Sequence, residues 1–460
     1  MTANQYDAIV VGTGQAGPAL AARLSGAGMS VAVIERKLFG GTCVNTGCIP
    51  TKSLVASAHA AQIARRAHEY GVVVEGGVRV DMQKVKARKD GIVGNANKGV
   101  ESWMKSLKNG TVIEGHARFT GPTTVTVNGR MLEAPRIFIN VGGRAALPPI
   151  AGLDAVPYLT NSSMMNVDFV PEHLVIIGGS YIGLEFGQMY RRFGSRVTIV
   201  EAGLRPIGRE DEDVSGAVQQ ILEREGVQFR LDASCIQAEK HAQGVLVGVD
   251  CASGERSVIG SHLLLATGRV PNTDDLGLDA AGIETDDKGY IKVDDALRTS
   301  ALGIWAIGDC NGRGAFTHTS YNDYEIVADN LLDGTQRKVT DRIACYGLFV
   351  DPPLGRAGMT EREVRKSGRK ALVARRPMDK IGRAVEKGET QGFMKFVVDA
   401  ESKRILGAAI LGVGGDEAVH SVLDVMYADQ PYTLLTHAVH IHPTVAELIP
   451  TTLGDLQPLE

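Results

Sequence analysis

The chain has 460 residues, a formal net charge of −4 and 44% hydrophobic residues, the make-up of a globular protein of about three domains. A balance of 49 Lys and Arg against 53 Asp and Glu argues against a nucleic-acid partner, which needs a basic face, and no apolar run is long enough to span a bilayer. The polar start Met1–Gln5 leads straight into strand-like sequence, so a cytoplasmic protein is expected, and there a close cysteine pair is redox-active or metal-binding rather than part of a disulfide scaffold.

The apolar run from Tyr6 to Val11 predicts a buried strand. Gly12-Thr13-Gly14-Gln15-Ala16-Gly17 follows, then an alanine-rich helix over Pro18 to Ala27 and a strand, Val31 to Ile34, that ends at Glu35. Glycines at these three places allow a tight turn, close approach of a pyrophosphate, and helix-on-strand packing. The helix N-terminus faces the phosphates, and the acid binds a ribose hydroxyl. In this context the motif is a strong signal for a dinucleotide.

Gly40-Gly41-Thr42-Cys43 then leads through Val44-Asn45-Thr46-Gly47 to Cys48, followed by Ile49-Pro50-Thr51-Lys52. A cysteine pair beside a bound dinucleotide suits electron transfer. A zinc site would need about four ligands, usually with tighter spacing, and no second pair exists. A helix is predicted from about Gly47 to Ala67. Cys48 falls in its first turn, where the helix dipole favours a thiolate, with Lys52 one turn on along the same face.

A charged helix is predicted over about Met82 to Lys108, then strands over Thr111 to Phe119 and Thr123 to Val127. Arg136 to Val141, followed by Gly142-Gly143-Arg144, reads as a strand ending in a tight turn. A second fingerprint starts at His173, with Gly178-Gly179-Ser180-Tyr181-Ile182-Gly183, a helix to Arg192, and a strand, Val197 to Val200, ending at Glu201. The spacing from Gly178 to Glu201 equals that from Gly12 to Glu35. Ser180 replaces the middle glycine, and binding is expected to survive. Glu201 would accept a 2′-hydroxyl and repel a 2′-phosphate, favouring NADH, although Arg205 nearby could accommodate the phosphate of NADPH.

A β-rich segment, Val227 to Ile259, precedes the strand Leu263 to Ala266, Thr267-Gly268-Arg269, and a short strand ending at Gly308-Asp309. The helix expected from Thr317 to Leu332, opened by His318 and Thr319, would aim its first amides at the same ligand. Beyond about Arg342 an α+β pattern takes over, with a capping box at Thr360 to Glu363. His440-x-His442 is expected to put two imidazoles on one strand face. Glu447 is placed to orient His442, or to complete a metal site.

Together these residues resemble the pyridine nucleotide–disulfide oxidoreductases, the flavoprotein family of dihydrolipoamide dehydrogenase, glutathione reductase and mercuric reductase. The motifs carrying the likeness are Gly-Gly-Thr-Cys43-x4-Cys48-Ile-Pro-x-Lys52, the second fingerprint, Ala266-Thr267-Gly268-Arg269-x-Pro271, Gly308-Asp309 and His442-Pro443-x3-Glu447. The resemblance implies an α/β fold with two Rossmann-like domains, for FAD and NAD(P), plus a C-terminal α+β dimerisation domain. The boundaries expected are 1–145 for FAD, 146–270 for NAD(P), 271–340 completing the FAD site, and 341–460 for the interface domain of a homodimer.

By the same resemblance, FAD lies at Gly12, Gly14, Gly17 and Glu35, with Asp309 on its ribityl chain and Gly41, Thr42, Lys52, Gly142, Thr317 and His318 around it. NAD(P)H lies at Gly178, Gly183, Glu201 and Gly268, and Tyr181 covers the flavin until nicotinamide displaces it. Lys52 and Glu185 are the ion pair beside the flavin, Cys48 faces the flavin, and Cys43 exchanges with a small disulfide or dithiol substrate. His442 and Glu447 form an acid–base dyad reaching across a twofold axis. No resident metal is implied. The sequence ends without the vicinal cysteines of mercuric reductases, yet Gly347 to Gly355 and Phe316 to Tyr321 look more like that branch than like dihydrolipoamide dehydrogenases. The expected activity is dihydrolipoamide-dehydrogenase-like, with metal-ion reduction or redox sensing as the alternative.

Overall fold

The computed structural model describes residues 4–250 and 255–459. Its first sheet is parallel, with strands in the order Ile304–Ala306, Ile137–Ile139, Ala8–Val11, Val31–Glu35 and Gly110–Glu114. Alternate residues of these strands enter different cores, as the period of two requires. Ala8, Val10, Val31 and Val33 pack on the helices Ala16–Gly26, Met82–Lys105 and Thr317–Leu332. Ile9, Val11, Ala32 and Ile34 pack instead on a small four-stranded sheet through Phe119, Val125 and Leu132. Both faces are covered, which is why these strands read as unbroken apolar runs.

The second parallel sheet repeats the plan, in the order Leu159–Thr160, His262–Leu265, His173–Ile177, Arg196–Val200 and Val227–Arg230. Helices Tyr181–Phe193 and Glu212–Arg224 cover one face, and an antiparallel sheet from Ser234–His241, Gly244–Asp250 and Ser257–Gly260 covers the other. An antiparallel ribbon of Gly143–Ala145 with Arg269–Pro271 joins the two units. The C-terminal part is a six-stranded antiparallel sheet in which Leu354–Gly358 and Ile405–Leu411 carry the helix Gly415–Tyr427. The capping box forms there, with Thr360 Oγ1 accepting from Glu363 N at 3.1 Å. Among the described residues no helix is long and apolar enough to cross a membrane.

The helix expected from about Gly47 is found as Cys48–Arg65, and a short helix, Gly41–Asn45, precedes it, the two parted where Thr46 and Gly47 leave helical backbone angles. A side chain at position 47 would also strike the Thr42 carbonyl, its Cβ lying 2.9 Å from that oxygen. Two expectations need correction. The span from Thr111 to Phe119 divides at Gly115, which has φ of 155°, so that Gly110–Glu114 and Arg118–Gly121 join different sheets. His440 and His442 are not on a strand. They lie in irregular backbone between the helices Thr433–His437 and Leu448–Leu453.

Candidate active site

At the carboxyl end of the first sheet, Gly12 has φ of 100° and a Cβ there would lie 2.4 Å from the Asn140 carbonyl oxygen. Gly14 is needed for room, since its Cβ would meet Asn140 Oδ1 at 2.8 Å, and Gly17 because its Cβ would meet the Gly12 carbonyl at 2.2 Å. The Glu35 carboxylate accepts from Thr13 N at 3.0 Å, from Thr13 Oγ1 at 2.6 Å and from Lys37 N at 2.8 Å. Asn140 clamps the turn, accepting from Gly17 N at 2.9 Å and donating to the Ile307 carbonyl at 3.0 Å. Sequence reasoning missed Asn140; its signal is a polar residue closing the buried run Ile137–Ile139.

The second fingerprint copies this geometry. Gly178 has φ of 113°, and a Cβ on Gly183 would come within 1.9 Å of the Gly178 carbonyl. Ser180 fits because its backbone is extended, at φ −99°, a conformation open to any residue. Glu201 accepts from Gly179 N at 2.6 Å and Gly203 N at 2.7 Å. Arg205 is turned to Glu212.

Between the two turns lies the cysteine pair, both members free thiols. Cys48 opens the helix Cys48–Arg65, and its Sγ lies 3.1 Å from Thr317 Oγ1. The hydrogen bond from Cys43 favours charge on Cys48 and outweighs burial. With the Thr317 hydroxyl and the Lys52 charge it lowers Cys48 to about 6. Cys43 moves up, because it gives that hydrogen bond and is itself buried. The pair is thus polarised, with the thiolate on Cys48.

Lys52 Nζ donates to Glu185 Oε2 at 2.6 Å and sits 4.4 Å from the centre of the Phe349 ring. Glu185 is 7% exposed and also accepts from Phe349 N at 3.1 Å. Burial raises the Asp309 carboxyl, against the pull of Arg269, whose Nε lies 3.7 Å away. Burial likewise raises Tyr181 to about 12, so its phenol stays neutral. Tyr181 packs edge-on against Phe316 and Tyr346, two aromatic residues that sequence reasoning did not single out. They are spread along the chain, and only the fold makes them neighbours.

One continuous cleft of about 2650 Å³ is lined by Gly12, Gly14, Glu35, Gly41, Thr42, Cys43, Cys48, Lys52, Gly142 and Asp309, and equally by Gly178, Tyr181, Glu185, Glu201, Gly268, Thr317 and His318. Its size and the two glycine cradles suit two dinucleotides, and the residues expected to hold FAD fit that group. Gly17 and Gly183 act one layer back, at the helix–strand contacts. His442 and Glu447 lie apart from the cleft. His442 Nδ1 is 3.1 Å from both Glu447 oxygens, and the imidazole is 81% exposed, leaving Nε2 free. His440 Nδ1 turns to the Ala438 carbonyl at 3.1 Å. Among the described residues no group of three or more His, Cys, Asp or Glu side chains is arranged to hold a metal ion.

Comparison with known proteins agrees with this architecture. The chain is 37% identical to the probable pyridine nucleotide-disulfide oxidoreductase RclA of Escherichia coli, over 98% of this chain and 99% of that protein. It is 32% identical to a mercuric reductase of Lysinibacillus sphaericus, over 91% of this chain and 76% of that one. A dihydrolipoyl dehydrogenase of Cupriavidus necator is 31% identical, over 97% and 96%. The solved structure described as the HOCl-induced flavoprotein disulfide reductase RclA from Escherichia coli superposes with a TM-score of 0.89 at 36% identity, covering 98% of this chain and 99% of that one. Residues 6–323 match the model of the pyridine nucleotide-disulphide oxidoreductases, and residues 345–453 match the dimerisation domain of the same family. Two nucleotide cradles, a polarised cysteine pair between them and these matches over nearly the whole length make the chain an enzyme of the pyridine nucleotide-disulphide oxidoreductase family.

Proposed function

We propose that this enzyme uses NADH and FAD to reduce a small disulfide through Cys43 and Cys48, in a homodimer that works in the cytoplasm. The observation that carries the reading is the placing of the cysteine pair, which lines one cleft with both glycine turns, with Cys48 at the start of helix Cys48–Arg65 and its Sγ 3.1 Å from Thr317 Oγ1. In this reading residues 1–145 and 271–340 hold FAD, 146–270 hold NADH, and 341–460 form the interface. Gly12, Gly14 and Glu35 hold the adenosine and pyrophosphate of FAD, and Asp309 holds its ribityl chain. Gly178 and Glu201 hold NADH, and Tyr181 gates it. When bound, the flavin supplies two-electron transfer from nicotinamide to the cysteine disulfide.

The chain's own residues carry the second half. Cys43 must lose its proton before it attacks, and His442 of the partner subunit takes it through Nε2 while Glu447 fixes the other nitrogen. Cys43 sulfur bonds to one sulfur of the substrate, and the substrate's S–S bond breaks. The departing thiolate takes the proton held by the imidazole. The Cys48 thiolate then attacks Cys43, re-forming the Cys43–Cys48 disulfide and releasing the second sulfur as a thiolate, which takes its proton from water. The pair gives up two electrons and the substrate gains two. Lys52, tied to Glu185, stabilises negative charge on Cys48 throughout.

A second reading is reduction of a soft metal ion at the same sulfurs. It is favoured by the likeness to the solved Cu(II) complex of the HOCl-induced flavoprotein disulfide reductase RclA, 35% identical with a TM-score of 0.89. Thiolates suit copper, and one dithiol would reduce two Cu(II) ions by one electron each. Assays of the purified holoenzyme with lipoamide, glutathione disulfide, Cu(II) and Hg(II) separate the two. Disulfide turnover well above metal turnover supports the first reading; the reverse order overturns it.

A further inference from the structure

Phe316 is the residue before helix Thr317–Leu332, one position ahead of the hydroxyl that touches Cys48. Its ring lies between two nearly parallel rings, His318 at 5.3 Å and 9° and Tyr346 at 5.7 Å and 11°. Tyr181 closes the group edge-on, 5.8 Å from Phe316 and 5.4 Å from Tyr346. Such contacts are directional, so rings held this way resist sliding.

Each ring is also tied through polar contacts or the sheet. Phe316 N donates to Thr319 Oγ1 at 3.1 Å, and that hydroxyl donates back to the Phe316 carbonyl at 2.8 Å. His318 Nε2 donates to the Cys345 carbonyl at 2.8 Å, and burial keeps the imidazole toward its neutral form. Tyr346 stands in the strand Cys345–Leu348, paired with Arg356 across the ladder. The stack therefore bridges the C-terminal sheet and the helix turn that carries Thr317. Taking Tyr181 away removes edge contacts from two of the three stacked rings.

We propose that Phe316, stacked between His318 and Tyr346, is a positioning residue that couples Tyr181 to Cys48: the stack holds the Thr317 hydroxyl on the sulfur, and Tyr181 seated against it completes the clamp. This rests on the roles given above to Tyr181 and Cys48. Entry of nicotinamide on one side would then loosen the hydrogen bond to the thiolate on the other.

The test uses holoenzyme carrying Cys43→Ser, which leaves Cys48 as the single thiol of the pair. Its thiolate is titrated by ultraviolet absorbance, as the difference from Cys43→Ser/Cys48→Ser, and by the long-wavelength thiolate–flavin band. Phe316→Leu is expected to raise the midpoint by about one pH unit, a tenfold fall in the thiolate-to-thiol ratio. Phe316→Tyr, which keeps the ring, restores it. Thr317→Val gives the same rise, and Phe316→Leu adds nothing to it. Tyr181→Ala raises the midpoint alone but not in the Phe316→Leu background. An unmoved midpoint in Phe316→Leu, or shifts that simply add, overturns the proposal. The ultraviolet signal reads the sulfur without the flavin. A missing long-wavelength band in the starting protein would thus overturn the flavin assignment, while the ultraviolet shifts still decide the coupling.

Discussion

The Lys52 ammonium and the Glu185 carboxylate meet at 2.6 Å, joining the helix that begins with Cys48 to the helix that begins with Tyr181. They act on Cys48 with opposite sign: Lys52 lowers its titration and Glu185 raises it. Lys52→Met should therefore raise the Cys48 midpoint, and Glu185→Gln should lower it, each by up to about one pH unit. Titrating the thiolate–flavin band in both variants checks the two directions.

Cys48 holds its charge down to about 6, while Cys43 stays protonated far above that. Because an acid with a lowered pKa loses its anion only as pH falls through that lowered value, the Cys48 thiolate should fade between about pH 7 and pH 5. The thiolate–flavin band of the reduced enzyme, followed against pH, should collapse in that window. A band constant down to pH 4 would contradict the polarised pair.

Replacing Cys43 by serine separates the two half-reactions. Turnover of any disulfide should fall by at least about a thousandfold, because the attacking sulfur is gone. Flavin reduction by NADH, followed in stopped flow, should change by less than about threefold, since Lys52, Glu185 and Tyr181 are untouched.

Nicotinamide choice should follow Glu201. Its carboxylate is fixed by the amides of Gly179 and Gly203, and Arg205 is occupied by Glu212. Glu201→Ala should cut the ratio of kcat/KM for NADH over NADPH by about tenfold or more. Glu212→Ala, which frees Arg205, should move the ratio the same way by a smaller factor. A parent enzyme that prefers NADPH tenfold would refute the argument.

Stability should depend on a polar junction far from the sulfurs. Arg192, 6% exposed, bonds Glu225 at 2.6 Å and Asp351 at 2.6 Å, and His59 Nδ1 reaches Asp351 at 2.8 Å. Burial pushes the Asp351 carboxyl up, but the bond from His59 and the charge of Arg192 prevail and hold it at about 2. A depressed carboxylate stabilises the fold above its ordinary range, and that contribution disappears as pH falls from about 4 through about 2. Arg192→Met leaves two carboxylates without their cation and should lower the melting temperature by about 5–10 °C at neutral pH. Differential scanning calorimetry measures it, and an unchanged transition would show that the junction contributes nothing.

Both nucleotide cradles were legible in the sequence, because each is a local pattern: a buried strand, glycines where backbone crowds backbone, and an acid at the next strand end. The cysteine helix and Lys52 were legible for the same reason. What escaped depends on contacts between distant segments. Asn140 gains its meaning only when it meets Gly17 and Ile307. Phe349 becomes part of the site only by lying against Lys52. Phe316 and Tyr346 lie far apart in sequence and meet through the packing of the C-terminal sheet on the rest. The His440–His442 stretch alternates like a strand, but it pairs with no strand among the described residues, and the chain passes through irregularly.

The parallel sheet under the first glycine turn takes its outermost strand, Ile304–Ala306, from far along the chain, with the whole second cradle in between. A ribosome making this protein has therefore completed the second cradle before the first can close. Until residue 306 emerges, Ile137–Ile139 is an open, apolar edge, the kind of surface that invites pairing with the wrong chain. Nascent chains that have emerged from the ribosome as far as residue 150 should hold that edge exposed and depend on chaperones, and those that have emerged beyond residue 330 should not.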